Sequence, residues 1–311
     1  MFRAWPDCVA PSDAREWNGD CSSRLHHELP GDVTWTSRRW VITGGTVNLI
    51  LFAAGGLYLL AVAGLAMRGT RPVLPFAWEH PLGVAGFLLL AIGNWLGLVY
   101  APSERFMGDV GRILYVHVPA AWVSMLCFLV AGICAIGFLM AGKRWWDSAM
   151  ESATEVGVMM CALLLLLGAI FARPTWGVWW SWDPRLTSSA VMMLSFVGVL
   201  LLRGIVRDPD RRATWSAVAT ILAAVNVPVT YMSVKWWRSL HQVQSETASG
   251  SALDPTMRWI LYFNTVAFIF LTVWFLARRY RVAELRAASE QPEPLPAAVP
   301  RAAASPGGRA S

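Results

Sequence analysis

The chain has 311 residues, of which 56% are hydrophobic and only 15% charged, and its mean hydropathy is +0.46. These values indicate an integral membrane protein and argue against a soluble globular enzyme. The net charge of +6 does not indicate nucleic-acid binding, because the basic residues are scattered in short groups between apolar runs and form no long stripe.

The N-terminal region is predicted in two parts. Residues 1–40 are polar, mixed in charge and rich in turn formers, which predicts a disordered extension. Residues 41–66 are apolar and long enough to span a bilayer, although five glycines interrupt them. Two alternatives stay open: either residues 41–67 form an additional transmembrane segment, or the native chain begins at Met67. A secretory signal is disfavoured because a long polar segment precedes the run.

Six further apolar runs follow, each of the length that a tilted membrane helix needs and none containing Asp, Glu, Lys or Arg. They cover residues 82–101, 114–140, 156–172, 186–202, 213–234 and 259–277. The sequence therefore predicts an all-α polytopic membrane protein, a six-helix transmembrane bundle with or without the additional N-terminal span. Residues 282–311, rich in Ala, Pro and Ser, are predicted to form a disordered tail.

Polar residues inside these runs are few. Asn94, Asn226 and Asn264 are expected to form hydrogen bonds between helices. Pro228 is expected to bend the fifth span, because proline lacks the N–H that a helix needs.

The connection between the third and fourth spans is unusually aromatic. It reads TWGVWWSWDPRLTSS and contains Trp176, Trp179, Trp180 and Trp182, followed by Asp183 and Arg185. A single tryptophan at a span end is typical of the aromatic belt at a membrane interface. Four of them beside an acid and an arginine form a broad π surface with charges at its edge, which suits a large flat ligand bearing acidic groups. Haem is such a ligand.

Two histidines share a side of the membrane with this loop. Alternation of six spans places His117 at the start of the second span, the tryptophan loop, and His241 after the fifth span on one face. Because a proline favours extended geometry in the residue before it, Pro119 is expected to leave His117 at the mouth of the second span and not deep in a regular helix. A lone histidine in an apolar chain is usually a packing residue, but two neutral imidazoles can bind haem iron from opposite sides. His117 and His241 are therefore candidate axial ligands.

Charge near the span ends predicts the orientation. Ten Lys and Arg residues flank the spans on one face and seven flank them on the face that carries the tryptophan loop. The positive-inside rule puts the first face in the cytoplasm, together with the C-terminus.

Three motifs carry a resemblance to a known family: WGVWWSWDPRLTS at Trp176 to Ser188, LYVHVPAAW at Leu114 to Trp122, and SVKWWRSLHQ at Ser233 to Gln242. Together they resemble the C subunits of the cytochrome c maturation machinery (CcmC, haem exporter protein C), members of the tryptophan-rich WWD group with CcmF and CcsA. The resemblance runs from about Pro81 to about Arg281, so that residues 80–281 would form a haem-handling membrane domain.

The resemblance implies a function in the bacterial inner membrane. Such a protein would hold haem b non-covalently and transiently at the periplasmic face, with His117 and His241 as axial ligands. It would present haem to the periplasmic haem chaperone CcmE and assemble with CcmA, CcmB and CcmD of an ABC-type complex.

The remaining site residues have two interpretations each. Arg185 pairs with a haem propionate or faces lipid headgroups. Asp183 fixes Arg185 or a Trp N–H, which is favoured, or orients a partner protein. Trp236 and Trp237 are belt residues or a second wall of the haem pocket.

Sequence features also limit the chemistry. The five cysteines form no CxxC pair and no CxxCH, the covalent attachment motif of c-type cytochromes, and there is no phosphate-binding loop of an ATPase. The chain is thus predicted not to be an enzyme. The alternatives are a haem lyase that forms thioether bonds on apocytochrome, and a scaffold whose aromatic loop only docks a partner.

Overall fold

The computed structural model describes residues 76–104, 107–241, 246–247, 250–251 and 254–290. The predicted extension at 1–40 and the apolar run at 41–67 lie outside these residues, so both stay predictions.

Helices make up nearly all of the described chain. They are α1 (Phe76–Trp95), α2 (Leu114–Ala141), α3 (Arg144–Trp176), α4 (Pro184–Ile205), α5 (Pro209–Ala224), α6 (Asn226–Trp236) and α7 (Pro255–Ser289). A π-helical turn, Leu96–Tyr100, continues α1, and a 3-10 turn, Asp109–Ile113, precedes α2. Two short strands, β1 (Glu246–Thr247) and β2 (Gly250–Ser251), pair antiparallel between α6 and α7.

Six helical segments of the described ranges are long and apolar enough to cross a membrane: His80–Tyr100, Asp109–Ala141, Arg144–Trp176, Pro184–Ile205, Pro209–Trp236 and Pro255–Ser289. They confirm the predicted all-α polytopic fold. Because successive spans alternate in direction, the α3–α4 connection lies at the same end of the bundle as the start of α2 and the segment after α6. We call this end the tryptophan end and the other the charged end.

Three helices begin with the same dipeptide. Asp183, Asp208 and Asp254 each cap the N-terminus of the next helix, and a proline follows each of them. The aspartate side chain accepts an otherwise unpaired N–H, while the proline fits the first helical position because its N–H is not needed there.

The centre of the bundle is packed around two stacked rings. Phe128 of α2 and Phe196 of α4 are fully buried, with ring centroids 3.9 Å apart and planes inclined by 9°. Gly157 lets α3 approach them, since a Cβ at this position would lie 2.7 Å from Phe128. Close approach through a small residue is the usual means of helix packing in membranes.

Asparagines tie helices together as predicted. Asn264 of α7 donates a hydrogen bond to the Gly93 carbonyl of α1 at 3.0 Å, and Asn226 donates to the Ser188 carbonyl of α4 at 3.1 Å. Both interhelical bonds are confirmed, whereas the buried Oδ1 of Asn94 has no partner.

The fifth span is divided in two. α5 ends at Ala224 and α6 begins at Asn226, with Val225 between them. Pro228 cannot donate to the Ala224 carbonyl four residues earlier, because it has no N–H. The predicted disturbance by Pro228 therefore takes the form of a break one turn before the proline.

Ion pairs join the helix ends at the charged end. Arg203 of α4 is buried and donates to both Asp147 oxygens, at 2.6 and 3.1 Å, and to Glu151 at 2.8 Å. Arg279 pairs with Glu155 of α3, and Arg212 pairs with Glu290. All of these residues except Arg279 line a cavity of about 300 Å³ between the helix ends.

Ion pairs also hold the C-terminal part of α7, which is longer than the sequence predicted. The helix reaches Ser289, past residue 282, at which the sequence predicted the tail to begin. Ala283 is buried against the bundle, and Arg286 lies 3.8 Å from Glu151 of α3. Contacts with α3 and with the start of α5 therefore hold a segment whose composition alone suggested disorder.

Candidate functional site

The tryptophan end brings together the three motifs that the sequence singled out. His117 lies near the start of α2, the tryptophans lie in the α3–α4 connection, and His241 lies in the irregular segment after α6. His117 and His241 are within electrostatic range of each other.

His117 lies near the start of the second span, as predicted, but its backbone is helical and not extended. It is the fourth residue of α2, and Pro119 occupies the second turn. A proline this close to a helix start leaves only one carbonyl, that of Tyr115, without its intrahelical N–H, which a helix tolerates.

The imidazole of His117 lies between α2 and α3. A Cβ on Gly168 of α3 would lie 3.2 Å from the ring atom Cε1, and the ring also faces the Leu164 carbonyl one turn earlier. Its Nδ1 is buried and has no hydrogen-bond partner. Gly168 thus provides the space that the ring occupies.

Asp183 connects the tryptophan loop to the segment that carries His241. Its side chain is 2% exposed. Besides the Arg185 N–H at 3.0 Å, it accepts hydrogen bonds from the Ser239 hydroxyl at 2.9 Å and the Leu240 N–H at 2.6 Å. The Ser239 hydroxyl in turn accepts from the His241 N–H at 3.1 Å. Asp183 therefore contacts Arg185 through its backbone N–H, and its other bonds come from Ser239 and Leu240 and not from a Trp N–H.

The charges around His241 favour a neutral imidazole beside an ionised carboxylate. Burial alone would raise the pKa of Asp183, but the bonds from Leu240, Ser239 and Arg185 outweigh burial and hold that pKa below its ordinary value. Burial and the positive charge of Arg185 lower the pKa of His241, and Asp183 offsets this only in part. A neutral imidazole keeps a lone pair with which it can bind a metal.

Trp176 packs against His241. The ring centroids are 5.2 Å apart and the planes meet at 70°, an edge-to-face contact, and Trp176 also meets Phe171 of α3 edge to face at 6.1 Å. Asp183 and Trp176 therefore contact the same imidazole.

The other tryptophans form an open aromatic surface. Trp180 and Trp182 meet edge to face at 6.0 Å, and Trp236 and Trp237 do so at 5.8 Å. Trp182 is 82% exposed, and Trp179, Trp236 and Trp237 are each more than half exposed. Exposed rings of this size at one end of a membrane protein are typical of an interface or a binding surface.

Arg185 lies close to both histidines. Its charge acts on His117 and on His241, and its side chain is also within electrostatic range of Tyr231 and Asp183. The guanidinium is therefore available near the two imidazoles as a partner for an anionic group.

The donor set suits haem better than a free metal ion. Across the described ranges, no three His, Cys, Asp or Glu side chains group as ligands of one metal ion would. Haem iron needs only two protein ligands, because the porphyrin supplies the other four. Buried polar atoms without partners, His117 Nδ1, His241 Nδ1 and Trp180 Nε1, occur here beside the exposed aromatic rings.

Two residues of this region were missed by sequence reasoning. Gly168 interrupts a run of five leucines and an alanine, and a lone glycine in such a run is a signal of close approach. Ser239 lies two residues before His241 in a motif already singled out, but nothing in its spacing indicates a bond to Asp183.

Comparison with known proteins agrees with the motifs. The sequence model of a family described as "Heme exporter protein C" matches residues 60–293, a longer stretch than that over which the three motifs extend.

Individual relatives give the same result. The chain is 36% identical over 225 residues to Heme exporter protein C of Bradyrhizobium diazoefficiens. The aligned region covers 71% of this chain and 83% of that protein. It is 31% identical over 205 residues to Heme exporter protein C of Escherichia coli K12, covering 66% and 83%. A putative cytochrome c biosynthesis ccmC-like mitochondrial protein of Marchantia polymorpha is 30% identical over 207 residues, covering 67% and 84%.

Proposed function

The chain belongs to the haem exporter protein C family, and from this membership we propose that it binds haem at the periplasmic face of the inner membrane and presents it to a periplasmic haem chaperone. Family membership makes it a haem-handling membrane protein of c-type cytochrome biogenesis, a transport subunit rather than an enzyme. Haem b is the cargo, held without covalent bonds.

The observation that carries the proposal is the convergence of His117 and His241 at the tryptophan end. The two histidines lie far apart in the sequence, yet their imidazoles lie within electrostatic range of each other. They would bind the iron as axial ligands. Aromatic rings supply the apolar surface for the porphyrin: the exposed Trp179, Trp182, Trp236 and Trp237 and the half-buried Trp176 and Trp180.

Arg185 would pair with a haem propionate. A guanidinium forms charge-assisted hydrogen bonds with carboxylates, and this one lies within electrostatic range of both candidate ligands. The exposed tryptophans leave one side of the site open, from which a chaperone can take the haem. We assign that acceptor role to CcmE, and the assembly to a complex with CcmA, CcmB and CcmD.

Haem binding by the purified protein tests this proposal. Titration of the detergent-purified protein with haemin should give stoichiometric, six-coordinate low-spin haem in the visible spectrum. His117→Ala and His241→Ala should each lose the six-coordinate spectrum and bind haem at least about 10-fold more weakly, because one axial bond is gone. His80→Ala, at the charged end, is the matched control and should bind as the unaltered protein does. Unchanged spectra and affinities in both ligand variants would refute the assignment.

The orientation has its own test. In a background with Cys8 and Cys21 replaced by serine, a thiol reagent that does not cross membranes should label Val178→Cys in intact spheroplasts. It should label Arg211→Cys only after permeabilisation, because Arg211 lies at the charged end. Both side chains are exposed, so accessibility reports the side of the membrane. The reverse pattern would place the haem site in the cytoplasm.

A further inference from the structure

On the premise of the haem site proposed above, we propose that Asp183 is a positioning residue for His241: its carboxylate accepts the Nδ1–H of the imidazole and leaves Nε2 to the iron. The structure brings the groups together without completing the bond. His241 Nδ1 lies 3.4 Å from Asp183 Oδ2, but the two atoms do not meet the full geometry of a hydrogen bond. A small rotation of the ring completes it.

The carboxylate is the fixed partner of the two. Three hydrogen bonds, from Arg185, Ser239 and Leu240, hold it at the buried N-terminus of α4. The His241 side chain is 25% exposed, whereas that of Asp183 is 2% exposed. The imidazole is therefore the group that adjusts, and the aspartate sets the direction in which it points.

His241 needs such a partner because no helix holds it. α6 ends at Trp236, and residues 237–241 are irregular. Ser239 and Leu240 attach this segment to Asp183, and the Ser239 hydroxyl accepts the His241 N–H. His117, by contrast, is fixed by the backbone of α2.

The chemistry of the imidazole explains the effect. A neutral imidazole has one N–H donor and one lone pair, and the bond made by one nitrogen decides which the other carries. A carboxylate facing Nδ1 selects the tautomer with its lone pair on Nε2 and makes that nitrogen a stronger donor to iron. Loss of such outer partners typically weakens metal binding by about 10–100-fold.

Asp183→Asn tests the inference, since it keeps the shape of the side chain and removes the charge. In haemin titration of the detergent-purified full chain we expect binding about 10–100-fold weaker and a smaller low-spin fraction. We also expect the iron midpoint potential to rise, because a weaker imidazole donor stabilises the ferric state less. Ser239→Ala should change all three in the same direction by less, since it removes one bond to the carboxylate and one to His241.

Asp208→Asn is the matched control. Asp208 begins α5 with the same Asp-Pro pair and accepts the Arg211 N–H at 2.8 Å, but it lies at the charged end. Its replacement removes a charge from a helix start that asparagine can still cap, and it should leave haem affinity and potential unchanged. A cap-only role for Asp183 would likewise leave both unchanged in Asp183→Asn.

The outcomes separate two failures. If the unaltered protein binds haem, His241→Ala loses the six-coordinate spectrum, and Asp183→Asn matches the unaltered protein, the inference is wrong and the proposed function stands. If the unaltered protein binds no haem, or His241→Ala changes nothing, both fail. Should Asp183→Asn not fold, Ser239→Ala decides: an unchanged potential there overturns the inference.

Discussion

Arg203→Met is expected to destabilise the protein by about 3–5 kcal/mol, because it leaves the buried carboxylate of Asp147 without its cation. The side chains of Arg203 and Asp147 are 7% and 9% exposed, so water cannot replace the lost pair. Methionine fills a similar volume, and the cost is therefore mainly electrostatic. Thermal unfolding of the detergent-purified protein should show it as a clear fall in melting temperature.

Two further variants make the cause identifiable. Arg203→Met with Asp147→Leu removes both charges of the closest pair, and it should recover most of the loss, because a buried pair replaced by apolar groups costs little. Arg144→Ala breaks the pair with Asp210, whose side chain is 90% exposed, and should cost less than about 1 kcal/mol. Equal losses from Arg203→Met and Arg144→Ala would contradict the argument.

Gly168→Leu is expected to abolish haem ligation by His117 while leaving the bundle folded. A Cβ at this position already lies 3.2 Å from Cε1 of the imidazole, and the rest of a leucine side chain has to occupy space next to the ring. We expect affinity for haemin to fall about 10-fold or more, with a spectrum like that of His117→Ala. Gly168→Ala should show a smaller change in the same direction.

Gly198→Leu is the control for this substitution. Gly198 also lies inside a membrane-spanning helix, but a Cβ there meets no atom within 4 Å. Gly198→Leu makes the same Gly-to-Leu change at a position where no neighbouring atom is displaced. Haem affinity and spectrum should therefore stay as in the unaltered protein. If Gly168→Leu also keeps full affinity and a six-coordinate spectrum, haem ligation by His117 does not require the space beside Gly168.

The sequence predicted the six spans because a membrane helix needs a continuous apolar run, and such runs are easily recognised. It did not predict how far the helices extend. Counting a span only to its first charged residue cut off Asp147 and Glu151 from α3 and Arg279 from α7. These residues continue their helices because they neutralise one another across helix ends, a relation between distant segments that no local pattern contains.

For the candidate site, the sequence predicted the residue types and the shared side of the membrane. His117, His241 and Trp176 were all named from motifs, and alternation of the spans put them at one end. The sequence could not show that Asp183 would bind Ser239 and Leu240, which are more than fifty residues away. It also misjudged the backbone at His117, because the rule that proline excludes helix fails within the first turns.

Because of the break at Val225, we expect the two candidate ligands to differ in how easily they can move. His117 belongs to α2, which runs without interruption to Ala141 and packs into the core along its length. Moving His117 therefore requires moving the whole helix. His241 follows a helix of only 11 residues that is jointed to the rest of its span where Pro228 removes a backbone bond. Bending at that joint moves only the short helix α6, so we expect the proposed iron site to open at lower cost from the His241 side.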